Sequence, residues 1–452
     1  MPKFEQRTNI LLFAGDVVIF AVALVVTLAI RYQEIPAAEI VIGHLIPFSL
    51  VFALWTATFL ITGLYDQYVS FNRKAIPRLV LKTQLINLLL AVGLFFVLPL
   101  GITPKTNLAI YLVTSTVLIV LWRLYIYPAI AARHALHAVV MGTGVEADGV
   151  SQVLTRNPYF RQVDVKYIDT SSYTDTAALA EALEIYVMNN PVNMIIADLD
   201  DAVAKKLTPV FFNLTFMGRQ VRFFNLTEFY ETLHHRLPPS LVKEAWILEH
   251  ISIQSPHYAY DALKRAIDII GALILLVPCA FIFPIVIILI KWQDGGVIFY
   301  RTERIGQYNE PMTILKFRTM TGTDSSVAAL NSKLEVTPLG RMMRKTRIDE
   351  LPQLWNILRG DVSFIGPRPE MPSLAAVYAE EIPYYNMRHL VKPGLSGWAQ
   401  INNFDVPKGG VDIERTIDKL SFDLYYLRHR SLLLDIEIVL KTINTVLMRT
   451  GT

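Results

Sequence analysis

Four long apolar runs, at 8–30, 44–64, 83–102 and 107–126, dominate the start of the chain. Each has about the 20 apolar residues needed to cross a hydrocarbon core. The first is too long, and lacks the small-residue exit, to read as a cleaved signal peptide. From 137 onward the pattern changes. Short apolar strand-like stretches at 137–141, 163–168 and 192–196 alternate with helical periodicity at 147–155, 176–188 and 202–216. That alternation predicts a parallel sheet with crossover helices. A fifth apolar run follows at 266–290. At 430–449, apolar residues recur at the spacing of an amphipathic helix lying on a membrane or on a partner subunit.

Basic residues orient the first four runs. Lys3 and Arg7 precede the first, and Arg73, Lys74, Arg78 and Lys82 crowd the 65–82 loop. The 103–106 turn has only Lys105, and the 31–43 loop has Arg31 beside Glu34 and Glu39. By the positive-inside rule the N-terminus and the 65–82 loop are cytoplasmic, and four crossings return the chain to that side. Few polar residues line the bundle, so it reads as an anchor and not as a transport path. Asp16, inside the first run, is read as a carboxylate facing neighbouring helices. The fifth run is basic on both flanks, with Lys264 and Arg265 before it and Lys291, Arg301 and Arg304 after it. Both ends are therefore expected on the cytoplasmic side. Pro278 at its middle would break the helix so that it dips into one leaflet and returns, with Pro284 as a second kink.

Composition agrees. Of 452 residues, 53% are hydrophobic and 18% charged, against about 25% charged in soluble domains. Mean hydropathy is +0.39. A net charge of +3 is too small to imply nucleic acid. The single cysteine, Cys279, excludes an internal disulfide, and the nine histidines show no metal-binding spacing.

Two regions carry candidate chemistry. Gly142-Thr143-Gly144-Val145-Glu146-Ala147 fits a loose GxGxxA dinucleotide fingerprint. No acid stands cleanly at the end of the second strand, and the region is half the size of a doubly wound fold. A structural or regulatory remnant is the favoured reading. The denser region is 291–402. Between 341 and 368 lie six cations (Arg341, Arg344, Lys345, Arg347, Arg359, Arg368) and three acids (Asp349, Glu350, Asp361). An adjacent acid pair among arginines suits phosphoryl chemistry: a carboxylate holds a cation or attacks phosphorus, and arginines bind phosphate oxygens. A helix surface laced with salt bridges would give a similar pattern. His389, beside Arg388 and Lys392, reads as a general base or a phosphate contact, and Trp398 as a residue that stacks a base or packs.

The motifs KFRTM at 316–320, RIDELPQLWNILRGDVSFIGPRPE at 347–370, KPGLSGWAQIN at 392–402 and FDLYYLRHRSLLLDIEIVLKT at 422–442 resemble those of the polyprenyl-phosphate hexose-1-phosphate transferases. These are the large monotopic phosphoglycosyl transferases of bacterial polysaccharide initiation. The resemblance is strong over 262–452 and looser before it. It implies a membrane protein of α plus α/β class: a four-helix transmembrane bundle (1–130), a degenerate Rossmann-like domain (131–250), and an α-rich catalytic domain held by a re-entrant helix (251–452). It implies the bacterial inner membrane with catalysis on the cytoplasmic side, Mg²⁺, and an acid dyad mapping to Asp349 and Glu350, which would also hold the metal. By that analogy Asp349 attacks the sugar-side phosphate of a nucleoside-diphosphate sugar, UDP-glucose or UDP-galactose, and polyprenyl phosphate then takes the phosphosugar. Lys316, Arg318, Arg347, Arg368, Lys392 and Trp398 are the expected substrate contacts. Membrane lipids are partners, and a homodimer is compatible with the large middle domain. The family's Ser-Pro-Gly-Pro-like turn is here Asp294-Gly295-Gly296, which keeps glycines but not prolines. The competing classes are an NAD-dependent nucleotide-sugar epimerase or dehydratase acting through 137–225, which lacks a suitable Tyr-x-x-x-Lys pair, and a non-catalytic scaffold.

Overall fold

The computed structural model describes residues 3–62, 64–65, 75–97, 105–131, 135–156, 162–173, 175–218, 221–251, 258–321, 335–402 and 410–447. Arg73 and Lys74, part of the orientation argument, lie outside them. The chain divides into two compact units, Met1–His234 and His235–Thr452.

The first unit begins with helices α1 (Lys3–Tyr32), α2 (Ala38–Ile61), α3 (Ala75–Val97) and α4 (Lys105–Leu121), the last prolonged through a π turn at Trp122–Ile126. α2 bends by 51° at Pro47, where the ring removes a backbone donor. Helix α3 starts earlier than the apolar run at 83 suggests: Arg78 and Lys82, expected in a loop, lie in its first turns, where their apolar stems suit a helix near an interface. Buried Asp16 on α1 is ion-paired with buried Arg123, whose guanidinium also donates to the Leu64 carbonyl at 2.6 Å. Tyr65 Oη donates to the same carboxylate at 2.7 Å. Asp16 is thus satisfied inside the bundle. Among the described residues, four helical stretches are long and apolar enough to cross a membrane: Leu11–Tyr32, Ile76–Phe95, Thr106–Ile130 and Tyr258–Gln293. The bent α2 is a fifth if its arms form one span.

Strands β1 (Ala135–Gly142), β2 (Gln162–Asp169), β3 (Met194–Ala197) and β4 (Arg222–Asn225) form a parallel sheet in the order β2-β1-β3-β4. Helix α5 (Gly144–Thr155) buries Ala147, Val150 and Leu154, and the sheet's Val139, Met141 and Ile195 pack under crossover helix α6 (Thr176–Asn189) through Leu179, Leu183 and Val187. Gly144 adopts φ +84 at the fingerprint turn. A Cβ there would come 3.3 Å from Glu146 Oε2, so a carboxylate occupies the helix N-terminus that a pyrophosphate would need.

The second unit opens with 235–250, whose Leu237, Val242 and Trp246 pack with Ala375, Tyr378 and Leu424. A long helix follows, α7 (Tyr258–Asp294). Pro278 and Pro284 both lie inside it, and the chain stays helical through both. The physical reason is packing on both sides of the prolines. Ala272 and Cys279 pack against Leu354, Ile357 and Val362. Val286 and Ile290 pack against Phe317 and Met343. Many other residues of the helix are apolar and exposed, from Leu263 and Ile267 to Phe281 and Ile288.

An antiparallel hairpin, β5 (Phe299–Ile305) and β6 (Pro311–Phe317), comes next, with Tyr300 opposite Lys316. Helices α8 (Pro338–Thr346) and α9 (Gln353–Arg359) flank a single turn, Ile348–Glu350. Strands β7 (Ser363–Ile365) and β8 (Gly394–Ser396) pair in parallel. Their loops cross closely: Gly394 N donates to the Pro367 carbonyl at 2.9 Å. A Cβ on Gly394 or Gly366 would collide with the facing backbone. Helices α10 (Ile413–His429) and α11 (Leu432–Leu447) close the unit.

Candidate active site

The acid pair sits in the joint between two short helices. Thr337 caps α8, its Oγ1 accepting from Gly340 N at 2.8 Å. Gly340 lets the Thr319 backbone cross that first turn, where a Cβ would overlap it. This lays the 316–320 segment beside the dyad. α8 ends at Arg347 in the left-handed region (φ 58, ψ 16), a costly conformation for a long side chain. The chain then makes the turn carrying Asp349 and Glu350, and Pro352 leads into α9. Buried Asn356 on α9 fixes the neighbouring strand: its Nδ2 donates to the Thr313 carbonyl at 2.7 Å and its Oδ1 accepts from Leu315 N at 3.1 Å. Lys316, the next residue, is thereby held against the dyad.

Glu350 collects three cations. Lys316 Nζ is 3.0 Å from Oε1, Arg347 Nη1 is 3.4 Å from Oε2, and Arg368 Nη2 is 3.9 Å from Oε1. Burial alone would raise its carboxyl, but Lys316, Arg368 and Arg347 overcome that and hold it down at about 2. Asp349, buried beside it, goes the other way. Burial and then the charge of Glu350 push its carboxyl above the ordinary value, against the pull of Lys316 and Arg344. Two adjacent carboxylates thus have different states: one locked as an anion, the other more basic.

Glu350 faces a cleft of about 290 Å³ whose walls include Arg304, Lys316, Arg368, Glu370 and Lys419. Behind it, fully buried Arg388 pairs with Asp423 at 2.8 Å and donates to the Arg368 carbonyl at 2.9 Å, while Lys419 pairs with Glu370 at 2.9 Å. Among the described residues, no three or more His, Cys, Asp or Glu side chains converge on a metal position. A cation at the dyad would therefore take one or two protein oxygens, with the remainder from phosphates and water. Mg²⁺ commonly binds this way, and ionised Glu350 suits it.

Of the residues singled out in the sequence, the structure brings Lys316, Arg347 and Arg368 together on the dyad. It does not bring the others there. The Arg318 guanidinium lies against Gly296, while Gly295 next to it takes φ +65, the position in the turn that favours glycine. Lys392 lines a different, larger cleft that shares no lining residue with the first. Trp398 corrects the expectation of a base-stacking contact. It is 1% exposed, its Nε1 donates to the His235 carbonyl at 2.9 Å, and its ring stacks on Tyr425. His389 is also buried, with Nδ1 2.6 Å from Asn309 Oδ1. Burial and the Arg388 charge push it down to about 3, so it is a neutral core imidazole. Sequence reading assigned no site role to Arg304, Glu370 or Lys419, which reach the cleft from distant segments. It named Asn356 only within a motif.

Residues 259–449 match the family model described as bacterial sugar transferase. The chain is 39% identical over 202 residues to the UDP-N-acetylgalactosamine-undecaprenyl-phosphate N-acetylgalactosaminephosphotransferase of Aeromonas hydrophila, covering 44% of this chain and 46% of that one. It is 37% identical over 190 residues to the uncharacterized sugar transferase EpsL of Bacillus subtilis, covering 42% of this chain and 89% of EpsL. It is 36% identical over 197 residues to the UDP-glucose:undecaprenyl-phosphate glucose-1-phosphate transferase of Caulobacter vibrioides, covering 42% and 72%. A helix-rich membrane protein with a basic acid-dyad cleft is the class that fold and site define. The chain belongs to the bacterial sugar transferase family. The match spans less than half the length of the Aeromonas relative.

Proposed function

We propose that the protein transfers a sugar-1-phosphate from a UDP-sugar to undecaprenyl phosphate on the membrane surface. The observation that carries this reading is the asymmetry of the dyad: Glu350 is ion-paired to three cations, and adjacent Asp349 is buried and more basic than usual. Asp349 is the nucleophile. Its carboxylate oxygen forms a bond to the sugar-side phosphorus, the bond from that phosphorus to the bridging oxygen breaks, and UMP leaves with the electron pair. The phosphate oxygen of undecaprenyl phosphate then attacks the same phosphorus, forms the diphosphate bond and releases the Asp349 carboxylate. Lys316 and Arg368 keep Glu350 ionised and lower the cost of bringing an anion to an anionic phosphate. Glu350, with Asp349, would hold a divalent cation, which when bound supplies further neutralisation of the donor's phosphates.

The helix α7 supports a monotopic placement. Its buried stripe packs on the dyad-bearing domain from Ala272 to Ile290, on both sides of the prolines. A helix crossing the bilayer would carry one of those contacts to the far side. The basic flanks of the apolar run in α7, Lys264 and Arg265 before and Lys291 after, support the cytoplasmic side of the inner membrane for this domain.

The relatives' named donors differ at sugar C2 and C4, glucose in one and N-acetylgalactosamine in another, so the expectation of glucose or galactose widens to hexose or N-acetylhexosamine. The test is UMP release by the purified full chain from a panel of both donor types, with and without undecaprenyl phosphate and Mg²⁺. Release that depends on both additions is expected. No release from any UDP-sugar would overturn the reading.

A further inference from the structure

A second cleft of the second unit, about 580 Å³, is separate from the one lined by Glu350. Its lining includes Lys264, Arg265, Lys392, Arg428 and Arg430 against Asp261 and Asp268. Several of these charges are already matched. Lys264 pairs with Asp435 at 2.6 Å, and Arg430 with Asp261 at 3.2 Å. Asp268 accepts the Phe364 N–H at 3.1 Å. Arg265 and Lys392 are different. A Cβ on Gly360 would come 3.3 Å from both the Arg265 guanidinium carbon and Lys392 Nζ, so the two charges converge on one point. Arg265 donates to the Ile357 and Leu358 carbonyls at 2.5 and 2.7 Å. Neither cation is ion-paired with a carboxylate among the described residues. Two converging half-buried cations repel each other unless an anion joins them.

The rim is unusual as well. Tyr308 and Asn309 are consecutive non-glycine residues at φ 56 and 62. Such strain is held where the surrounding structure demands it. Tyr308 lines the cleft and is exposed.

The surroundings indicate where the anion comes from. Lys264 and Arg265 lie two turns into α7, next to the exposed apolar residues Leu263, Ile267 and Ile270. Asp435, the partner of Lys264, lies in the first turn of α11. That helix exposes Ile436, Leu440 and Ile443 along one face. The cleft therefore opens where two apolar helix surfaces begin, the depth at which lipid phosphates sit if those surfaces enter a bilayer.

We propose that this cleft is a second anion site, separate from the catalytic one, and that it takes the phosphate head group of an anionic phospholipid between Arg265 and Lys392. The site anchors the catalytic domain and takes no part in the transfer.

The test is native mass spectrometry of the full chain in neutral detergent, titrated separately with phosphatidylglycerol, phosphatidylcholine and inorganic phosphate. Wild type is expected to bind phosphatidylglycerol in preference to phosphatidylcholine. Lys392→Gln is expected to weaken that binding roughly fivefold, the worth of one cation near a lipid surface. Arg265→Lys, which keeps the charge, should weaken it less. Asp349→Asn should leave it unchanged, so failure of the transfer reading and failure of this one are distinguishable. Lys392-dependent binding of inorganic phosphate without a lipid preference would overturn the lipid assignment. Binding of phosphatidylglycerol that Lys392→Gln does not change would overturn the site.

Discussion

Lys316 Nζ stands 3.0 Å from Glu350 Oε1, joining a hairpin strand to the helix joint that carries the acid pair. Asn356 makes the meeting possible by bonding the strand on either side of Ile314. Glu350 is consequently a stabilising group. Its folded carboxyl lies at about 2, below the ordinary 4.5. A lowered value contributes stability that is full above the ordinary value and lost as pH falls through the folded one. Wild type should be more stable than Glu350→Gln and melt at a higher temperature, with an advantage on the order of 3 kcal/mol for this shift. The advantage should be level from neutral pH to about pH 5.5 and shrink below pH 4.5. An advantage that does not change with pH would remove the cations from this account.

Asp349 carries the opposite sign. Burial and Glu350 make its charged form unfavourable in the fold, so Asp349→Asn should abolish UMP release while leaving thermal stability unchanged or raised. Because the buried dyad gains nothing from the Asp349 charge, a large loss of stability in that variant would show the residue to be structural. Both readouts come from one preparation, by calorimetry and nucleotide assay.

The rate should also report this carboxyl directly. A raised Asp349 places the acid limb of UMP release above the ordinary 3.8. Lys316 opposes the shift, so Lys316→Gln should move the limb to still higher pH, with a lower plateau. A limb that stays in place would mean that some other group controls it.

Trp398 illustrates what the sequence hides. KPGLSGWAQIN makes it look like a ligand contact, but its indole N–H is taken by the His235 carbonyl, 163 residues away in the chain. Trp398→Ala should therefore cost about 3–5 kcal/mol of stability, as for other buried aromatic truncations. Trp398→Phe should restore part of that and leave the KM for UDP-sugar unchanged. A KM effect in the phenylalanine variant would return the residue to the binding site.

The legible parts of this molecule were those with local signatures. Apolar runs of membrane length, the alternation behind the β2-β1-β3-β4 sheet and the contiguous Asp349-Glu350 pair are all read from neighbouring residues. Arg304, Glu370 and Lys419 were not legible as parts of the cleft, because tertiary folding alone gathers them. That Arg318 and Lys392 stand away from Glu350 was not legible for the same reason: motif membership says that a cation is needed, not which wall it lines. Pro278 is a different case. Proline's local cost is real, but the stripe from Ala272 to Ile290 packs on both sides of it and keeps the chain helical.

That continuous helix gives a direct topological prediction. Tyr258, at its start, and Trp292, near its end, are both well exposed, and the buried stripe between them meets one domain throughout. Single cysteines at these positions, in a Cys279→Ala background, should react with a membrane-impermeant maleimide from the same side of inverted vesicles. Pro278→Leu restores a backbone donor without touching the buried stripe, so it should leave both labels on that side. Labelling of the two ends from opposite sides in wild type would make α7 a span and place everything after residue 294 across the membrane from Tyr258. The dyad would then be out of reach of cytoplasmic UDP-sugars.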